Sequence, residues 1–257
     1  MAILDVTGVQ AAKPDWVKRE ISGAELTILA DLIAQSGATI GAEIGVASGF
    51  SSAVLFAAMA GKTAQPRLHS FDIAERCYFD PTHRTGDAFR AIHGAQEGFI
   101  LTTGVTSADI GALPPLDFLF IDASHATPWP ALDVLSLGRY LKPGGWIALD
   151  DLDMLFAHPK FRTGKNGARD LYRNWKGPKT VYTKAQGLGL LFDVTPAVLL
   201  QSVHHSLLTD WDVRLTDEEL ARFDAIAASY DTPEADRLRR AMKGQRNSAA
   251  ATRTKAD

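Results

Sequence analysis

Short apolar runs that end in acidic residues mark the middle of the chain. The run 116–121 is followed by Asp122, and the run 146–149 is followed by Asp150 and Asp151. Continuous apolar runs of about four to eight residues are typical of strands buried on both faces of a parallel sheet. The pattern therefore predicts two buried strands whose carboxyl ends carry acids.

The segment between these runs predicts how the two strands are connected. Residues 131–141 place Leu132, Leu135 and Leu137 on one side of a helix, and residues 142–145 read Lys-Pro-Gly-Gly, which is typical of a turn. A strand, a helix and a second strand form a unit whose strands run parallel. The acids then lie at the same sheet edge, in the crevice where open α/β sheets bind ligands.

A turn rich in small residues follows an earlier apolar run and predicts a ligand site. Residues 39–46 form the run, Gly45 and Gly49 frame the turn, and a helix is expected over 53–59. Glycines let the backbone approach a ligand closely, and a helix N-terminus offers unpaired N–H groups. Gly45, Gly49 and Ser51 are therefore candidate ligand contacts, with a tight turn that binds nothing as the alternative.

Acids near this turn indicate which kind of ligand it binds. Glu43 precedes Gly45 by two residues, and the dinucleotide fingerprint G-x-G-x-x-G is absent. A buried carboxylate at that position suits ammonium or hydroxyl groups better than a pyrophosphate. The next predicted strand, 67–73, carries Asp72 near its tip, where an acid commonly binds ribose hydroxyls.

Signals outside these strands complete an α/β pattern. Ser22 and Glu25 fit a capping box at the start of a helix that ends before Gly37. Residues 179–185 and 188–194 flank a Gln-Gly pair and predict a hairpin. Together the elements predict a doubly wound, mostly parallel seven-stranded sheet with helices on both faces and extra C-terminal helices.

The predicted organisation has four parts. Beyond residue 243 the chain lacks large apolar residues, so a disordered tail is expected there. The parts are an N-terminal helical segment (1–38), the central α/β domain (39–200), a C-terminal helical extension (201–243) and the tail (244–257).

Composition and charge narrow the class of protein. The chain has 257 residues, 46% of them hydrophobic, which is enough for one α/β core. The net charge of −3 argues against nucleic acid as a partner. The single cysteine, Cys77, excludes intrachain disulfides and Cys-built zinc sites. Neither a leader peptide nor an apolar run of membrane-spanning length is found, so a cytoplasmic protein is expected.

In order and spacing these motifs resemble the class I S-adenosylmethionine-dependent methyltransferases. The resemblance spans 39–194 and rests on E-I-G-V-A-S-G at the glycine turn, Asp72, L-D-F-L-F-I-D ending at Asp122, and L-K-P-G-G-W-I-A-L-D-D. It implies that S-adenosylmethionine is the cofactor. Glu43 and Gly45 are then expected to face its methionine portion and Asp72 its ribose.

Within that family the acids resemble those of metal-dependent O-methyltransferases of the catechol and macrocin types. The resemblance implies that Asp122, Asp150 and Asp151 hold Mg²⁺ and that Asp122 also adjoins the cofactor. Asp-x-x-His, from Asp122 to His125, is similar to the macrocin type, in which that histidine is proposed as general base. The implied reaction is methyl transfer to a hydroxyl of a small molecule, either a sugar or a phenol.

Other interpretations stay open at this point. Asp150 and Asp151 could be a polar strand end, and His125 could cap the next helix or lie in solvent. The chain could be a metal-independent methyltransferase acting on RNA, or a non-catalytic relative that binds S-adenosylmethionine. Residues 158–178 carry six basic residues and one acid, which indicates either a solvated loop or a contact for an anionic acceptor. A homo-oligomer is compatible with the sequence.

Overall fold

The computed structural model describes residues 3–18, 21–152, 166–182 and 187–253, with side chains described up to residue 244. Its strands are β1 (Ile40–Ile44), β2 (Arg67–Asp72), β3 (Phe99–Thr103), β4 (Leu116–Ile121), β5 (Leu141–Leu149), β6 (Lys179–Tyr182) and β7 (Leu188–Leu191). They form one sheet in the order β3-β2-β1-β4-β5-β7-β6. Within this described sheet β7 runs antiparallel to both of its neighbours, β5 and β6, and the other pairs of adjacent strands are parallel.

Helices cover both faces of the sheet. They are α1 (Val6–Ala11), α2 (Gly23–Ser36), α3 (Phe50–Ala60), α4 (Asp87–His93), α5 (Trp129–Gly138), α6 (Gly167–Asn174), α7 (Pro196–Leu207), α8 (Asp217–Ala228) and α9 (Pro233–Arg253), with a 3₁₀ helix at Ser107–Asp109. Helices α1 to α4 contribute to one hydrophobic core, and α5 to α9 contribute to a second core on the opposite face. The predicted doubly wound α/β fold is confirmed.

Strand β4 shows why the apolar runs lack a polar alternation. Phe118 and Phe120 point into the core beneath α1 to α4, and Leu119 and Ile121 point into the core beneath α5 to α9. None of the four is more than 3% exposed. Successive side chains of a strand point to opposite faces, so a strand covered on both faces requires apolar residues at every position.

The local signals for α2 are confirmed in detail. The Ser22 N–H donates to Glu25 Oε2 at 2.7 Å, and the Glu25 N–H donates to Ser22 Oγ at 3.3 Å. Gly37 ends the helix in the left-handed conformation, at φ 67°. The predicted hairpin is also present as the antiparallel pair β6 and β7, although residues 183–186 lie outside the described part of the chain.

The predicted turn at 142–145 is wrong, because these residues belong to β5. The strand begins at Leu141, and Gly144 takes a positive φ of 82° within it. The Gly144 N–H donates to Val194 O, and the Val194 N–H donates to Gly145 O, both at 3.3 Å. The Pro-Gly-Gly sequence therefore forms an irregularity in the strand, where glycine and proline are tolerated.

The C-terminal part differs from the prediction at two places. Helix α7 begins at Pro196, so the predicted domain boundary after residue 200 falls inside a helix whose Leu199 and Val203 belong to the main core. Helix α9 continues to Arg253, where a disordered tail was expected from residue 244. Alanine, arginine and glutamine are strong helix formers, so the helix extends without large apolar residues.

Membrane insertion receives no support from the helices. Among the described residues, no helix is both long enough and apolar enough to cross a bilayer.

Gly45→Ala is expected to destabilise the fold much more than Gly37→Ala. Both glycines have a positive φ, of 91° and 67°, so alanine costs about 1–2 kcal/mol at either position. A Cβ at Gly45 would also lie 1.8 Å from the Asp122 carbonyl oxygen, whereas the space around Gly37 is open. Urea denaturation of the two variants separates the steric from the conformational cost. Equal losses of stability would contradict the close approach of the chain at Gly45.

Candidate active site

The carboxyl ends of four parallel strands meet at one edge of the sheet. Ile44 at the end of β1 pairs with Phe71 of β2 and with Ile121 of β4, and Ile121 in turn pairs with Leu149 of β5. The residues that follow these strand ends are therefore neighbours at the edge. They include Gly45, Asp72, Asp122 and Asp150.

The glycine turn between β1 and α3 is held by backbone hydrogen bonds. The Gly49 N–H donates to Val46 O at 2.7 Å, and the Gly86 N–H donates to Ala47 O at 3.1 Å. Gly49 has a φ of 86°, and a Cβ there would lie 2.8 Å from the Gly86 Cα. The turn therefore requires glycine at this position because it contacts the segment that leads into α4.

Asp72 lies at the tip of β2, as predicted, and binds the turn directly. Its Oδ2 accepts hydrogen bonds from the N–H groups of Val46 at 2.9 Å and Ala47 at 3.0 Å, and its Oδ1 accepts one from Ala74 at 2.8 Å. The side chain remains half-buried at the edge. Asp72 thus shapes the turn, and a contact to a ribose stays a prediction.

Glu43 lies beneath the turn and has no exposed surface. Ser51 Oγ donates to Glu43 Oε1 at 2.6 Å, and Ser70 Oγ donates to Oε2 at 2.9 Å, with a further short bond from Ser52. The carboxylate therefore joins β1 to the first turn of α3 and to β2. These hydrogen bonds give Glu43 and Ser51 a structural role, and a contact of either residue with a ligand stays a prediction.

Three side chains at the ends of β4 and β5 form a compact cluster. Asp122, His125 and Asp151 each offer one ligand atom, and these atoms lie within 4.8 Å of one another. His125 Nε2 is 3.3 Å from Asp151 Oδ2. Distances of this size are compatible with ligand atoms that share one cation. We name these three residues the acid–histidine cluster.

Helix α6 fixes the two loops that carry this cluster. The Gly167 N–H donates to the His125 carbonyl oxygen, and Asn166 Nδ2 donates to the Asp151 carbonyl oxygen, both at 2.8 Å. Asn166 is buried and also caps the helix by accepting from the Arg169 N–H. Asp151 itself takes the left-handed conformation, at φ 57°. One buried asparagine therefore links the helix start to the candidate site.

Burial shifts the titration of the cluster towards its neutral forms. Desolvation lowers the pKa of His125 to about 4, and it raises the pKa of Asp151 to about 6. At pH 7 the imidazole is neutral and the Asp151 carboxylate is charged, so His125 can donate one N–H to Asp151 and keep a lone pair on its other ring nitrogen.

Asp150 is not one of the three residues of the acid–histidine cluster, but its side chain interacts with that of Asp122. The residue is 4% exposed, and its Oδ1 makes no hydrogen bond among the described residues. Burial, together with the charges of Asp151 and Glu25, raises the pKa of Asp150 well above its usual value. His125 joins Asp122 and Asp151 in the acid–histidine cluster, and the role of Asp150 as a metal ligand stays a prediction.

The donor set and its surroundings fit a divalent cation. Two carboxylates and one neutral imidazole are compatible with several divalent ions, and oxygen-rich sets favour Mg²⁺ or Mn²⁺. The orphaned Oδ1 of Asp150 adds a buried acceptor for which the described protein offers no donor. Buried acceptors of this kind are rare unless water, an ion or a ligand satisfies them.

An apolar surface beside Asp72 was not singled out by the sequence pattern. Ile73 and Tyr78 are 70% and 72% exposed, which is unusual for large apolar side chains. The same loop is packed from the N-terminal side, where the Trp16 ring stacks on His83 with the ring centroids 3.8 Å apart. No periodic pattern marks such a loop, so only the structure reveals that these two side chains are exposed.

Comparisons with known proteins agree with this geometry. Residues 42–152 match a family model described as a methyltransferase domain. No curated protein matches the chain. The matched segment begins within β1 and ends just after β5, so it contains the candidate site.

Solved structures with the same fold include three bacterial proteins. The O-methyltransferase TomG of Streptomyces achromogenes, in complex with S-adenosylmethionine, is 20% identical with a TM-score of 0.52, and the match covers 74% of this chain and 91% of TomG. A provisional caffeoyl-CoA O-methyltransferase of Staphylococcus aureus is 15% identical (TM-score 0.55; 72% and 90%). A provisional O-methyltransferase of Klebsiella pneumoniae is 20% identical (TM-score 0.51; 73% and 86%). At these identities the likeness concerns the fold.

Glu43→Gln is expected to lower the free energy of unfolding by about 1–3 kcal/mol. The amide presents an NH₂ group to hydroxyl donors and removes charge-assisted hydrogen bonds at a position without solvent access. Glu97→Gln is the matched control, because Glu97 is exposed and its neutralisation should cost almost nothing. Urea denaturation measures both. A Glu43→Gln variant as stable as the control would show that these bonds do not hold the turn.

Proposed function

We propose that the chain is a class I S-adenosylmethionine-dependent methyltransferase and that it methylates a hydroxyl group of a small molecule with the help of a divalent cation. One observation carries the proposal: the acid–histidine cluster lies at the same sheet edge as the glycine turn. A cofactor cleft and a cation site are thereby neighbours. The match to the methyltransferase model over this region supports methyl transfer as the reaction.

S-adenosylmethionine is the proposed cofactor, bound between the glycine turn and Asp72. The first turn of α3 offers N–H groups, and Gly45 and Gly49 have no side chain that would keep a ligand away from the backbone. A carboxylate has about four acceptor positions, and backbone donors occupy three at Asp72, so one is left for a ribose hydroxyl. TomG binds S-adenosylmethionine with the same fold, which supports the choice.

A divalent cation, with Mg²⁺ as the first candidate, would be held by Asp122 and Asp151, with His125 and Asp150 beside it. A bound divalent ion lowers the pKa of a coordinated hydroxyl group. The protein itself contributes the alignment of the acceptor oxygen with the S–C bond that breaks, because the displacement must be in line. Loops fixed by α6 suit that task, since they hold the cluster rigidly.

His125 is the proposed general base for the acceptor hydroxyl. Its buried imidazole is neutral at pH 7, and one ring nitrogen is oriented by Asp151. Such an arrangement leaves the other nitrogen able to accept a proton. Direct binding of the cation by His125 is the competing role, and the second experiment below separates the two.

The acceptor is proposed to be a sugar or phenolic hydroxyl. The three similar solved structures all carry the description O-methyltransferase, which supports oxygen as the atom that is methylated. Exposed Arg173 and Lys176 at the end of α6 would favour an anionic acceptor, while residues 158–165 of the predicted basic insert lie outside the described part of the chain. A cytoplasmic location and a homo-oligomeric state stay predictions from the sequence.

The metal requirement is tested with Asp151→Asn and Asp122→Asn. Each should abolish Mg²⁺-dependent activity while S-adenosylhomocysteine still binds in calorimetry, because the removed carboxylate lies in the acceptor half of the cleft. Asp193→Asn is the matched control for Asp151, since both aspartates have a positive φ and Asp193 is exposed. Full activity in excess EDTA would favour the metal-independent reading. Absence of S-adenosylhomocysteine binding by the folded wild type would overturn the proposed function itself.

The base is tested with His125→Ala, against His205→Ala on the exposed face of α7. A general base contributes about 10²–10⁴ in rate, so turnover should fall by that amount while Mg²⁺ affinity changes little. Only neutral imidazole accepts a proton, so the wild-type rate should rise with pH through a pKa near 4, well below the ordinary histidine value. A large loss of Mg²⁺ affinity would identify His125 as a ligand instead. Superimposable pH–rate profiles would identify it as a structural residue.

A further inference from the structure

The buried asparagine that precedes α6 uses both ends of its side-chain amide. Asn166 is 2% exposed, and its Oδ1 accepts a hydrogen bond from the Arg169 N–H at 2.9 Å. Its Nδ2 donates to the Asp151 carbonyl oxygen at 2.8 Å. The first bond is a cap within α6, whereas the second joins the helix to the loop after β5. Asn166 therefore contacts the backbone of one member of the acid–histidine cluster.

A capping role alone does not account for Asn166. Thr195 and Thr216 cap α7 and α8 through their hydroxyl groups, and both of these residues are exposed. A cap requires only an oxygen that accepts from an N–H group of the first helical turn, so it needs neither burial nor a donor. A buried amide costs free energy unless its N–H groups are bonded as well. Capping therefore leaves the bond from Asn166 to Asp151 unexplained.

Two further hydrogen bonds from the first turn of α6 reach the loops that carry the cluster. The Gly167 N–H donates to the His125 carbonyl oxygen at 2.8 Å, and Arg169 Nε donates to the Leu152 carbonyl oxygen at 2.6 Å. A Cβ at Gly167 would lie 3.3 Å from the His125 carbonyl oxygen, so the helix approaches this loop closely. One helix start therefore holds the backbone at His125 and at Asp151, whose side chains lie 3.3 Å apart.

The backbone of Asp151 has a conformation that depends on surrounding contacts. Its φ of 57° lies in the left-handed region, which residues with a side chain adopt rarely and keep only where their neighbours impose it. The Leu152 N–H donates to the Gly187 carbonyl oxygen at 3.2 Å, so the residue after Asp151 is also held. With Asn166 and Arg169 bound to the carbonyl oxygens of 151 and 152, helix α6 fixes the segment from which the Asp151 side chain projects.

We propose that Asn166 is a positioning residue of the candidate site, which places Asp151 relative to His125 through the Asp151 carbonyl group. The inference rests on the proposed function and extends it to a residue outside the segment 42–152 that matches the methyltransferase model. In this role Asn166 touches neither cofactor nor acceptor and acts through Asp151. Sites of this kind require side chains placed to within about 0.5 Å, so the groups that hold them from behind affect metal binding.

Asn166→Ser tests the inference, because serine caps a helix about as well as asparagine but is too short to reach the Asp151 carbonyl oxygen. Calorimetric titration with Mg²⁺ and with Mn²⁺ should show about 10- to 100-fold weaker binding. The affinity for S-adenosylhomocysteine should stay that of the wild type, since other residues hold the glycine turn. Asn166→Ala should lose the same metal affinity and have a lower Tm than Asn166→Ser, because it removes the cap as well.

Asn174→Ser at the other end of α6 is the matched control. Asn174 Nδ2 donates to Ser206 Oγ of α7 at 3.4 Å, so the same substitution removes a side-chain bond of the same helix away from the cluster. This variant should bind Mg²⁺, Mn²⁺ and S-adenosylhomocysteine as the wild type does.

Three outcomes would overturn the inference. Metal affinity of Asn166→Ser equal to that of the wild type would reduce Asn166 to a helix cap, while the proposed function would stand. A loss that Asn174→Ser shares, or that affects S-adenosylhomocysteine to the same extent, would indicate a general loosening of the fold. A wild type that binds S-adenosylhomocysteine but neither metal would remove the inference together with the metal-dependent part of the proposed function, and leave the cofactor part intact.

Discussion

The contact between Gly45 and the end of β4 is the constraint on which the site depends. With no Cβ at Gly45, the chain passes so close to the Asp122 carbonyl that any side chain would overlap it. The Gly45 N–H binds Phe71 O of β2, and the Asp122 N–H binds Ile44 O of β1, both at 2.9 Å. The glycine turn and the first acid of the cluster are therefore held together by the backbone, before any side chain contributes.

The buried carboxylates of this fold differ in whether the described protein supplies hydrogen-bond donors for both of their oxygens. Glu43 is fully buried, yet hydroxyl donors from α3 and β2 satisfy it, so it acts as an internal brace for the turn. Glu25 and Asp150 are almost as buried, and each keeps an oxygen without a donor in the described chain. A satisfied carboxylate needs nothing further, whereas an unsatisfied one indicates that another positive or donating group belongs there.

The sequence predicts the strand ends well and the directions of their side chains poorly. Apolar runs closed by acids correctly placed Asp72, Asp122 and the Asp150–Asp151 pair at one edge, because parallel strands bring their carboxyl ends together. The sequence of two adjacent aspartates does not show which one joins the cluster; Asp151 joins it and has a positive φ of 57°. Glu25 carries only the signal of a capping box, so its burial follows from tertiary packing and not from a local pattern.

The cofactor half and the acceptor half of the proposed cleft therefore differ in whether protein donors already satisfy their carboxylates. In the cofactor half, Asp72 and Glu43 already hold the turn through protein donors, so its shape should exist without a cation. In the proposed acceptor half, acids crowd together with a neutral histidine, and burial raises the pKa of Asp150 and of Asp151. Cofactor binding should accordingly be independent of metal, whereas productive acceptor binding should require it. On the proposed function, such a division would keep the cofactor cleft rigid while a cation completes the reactive geometry.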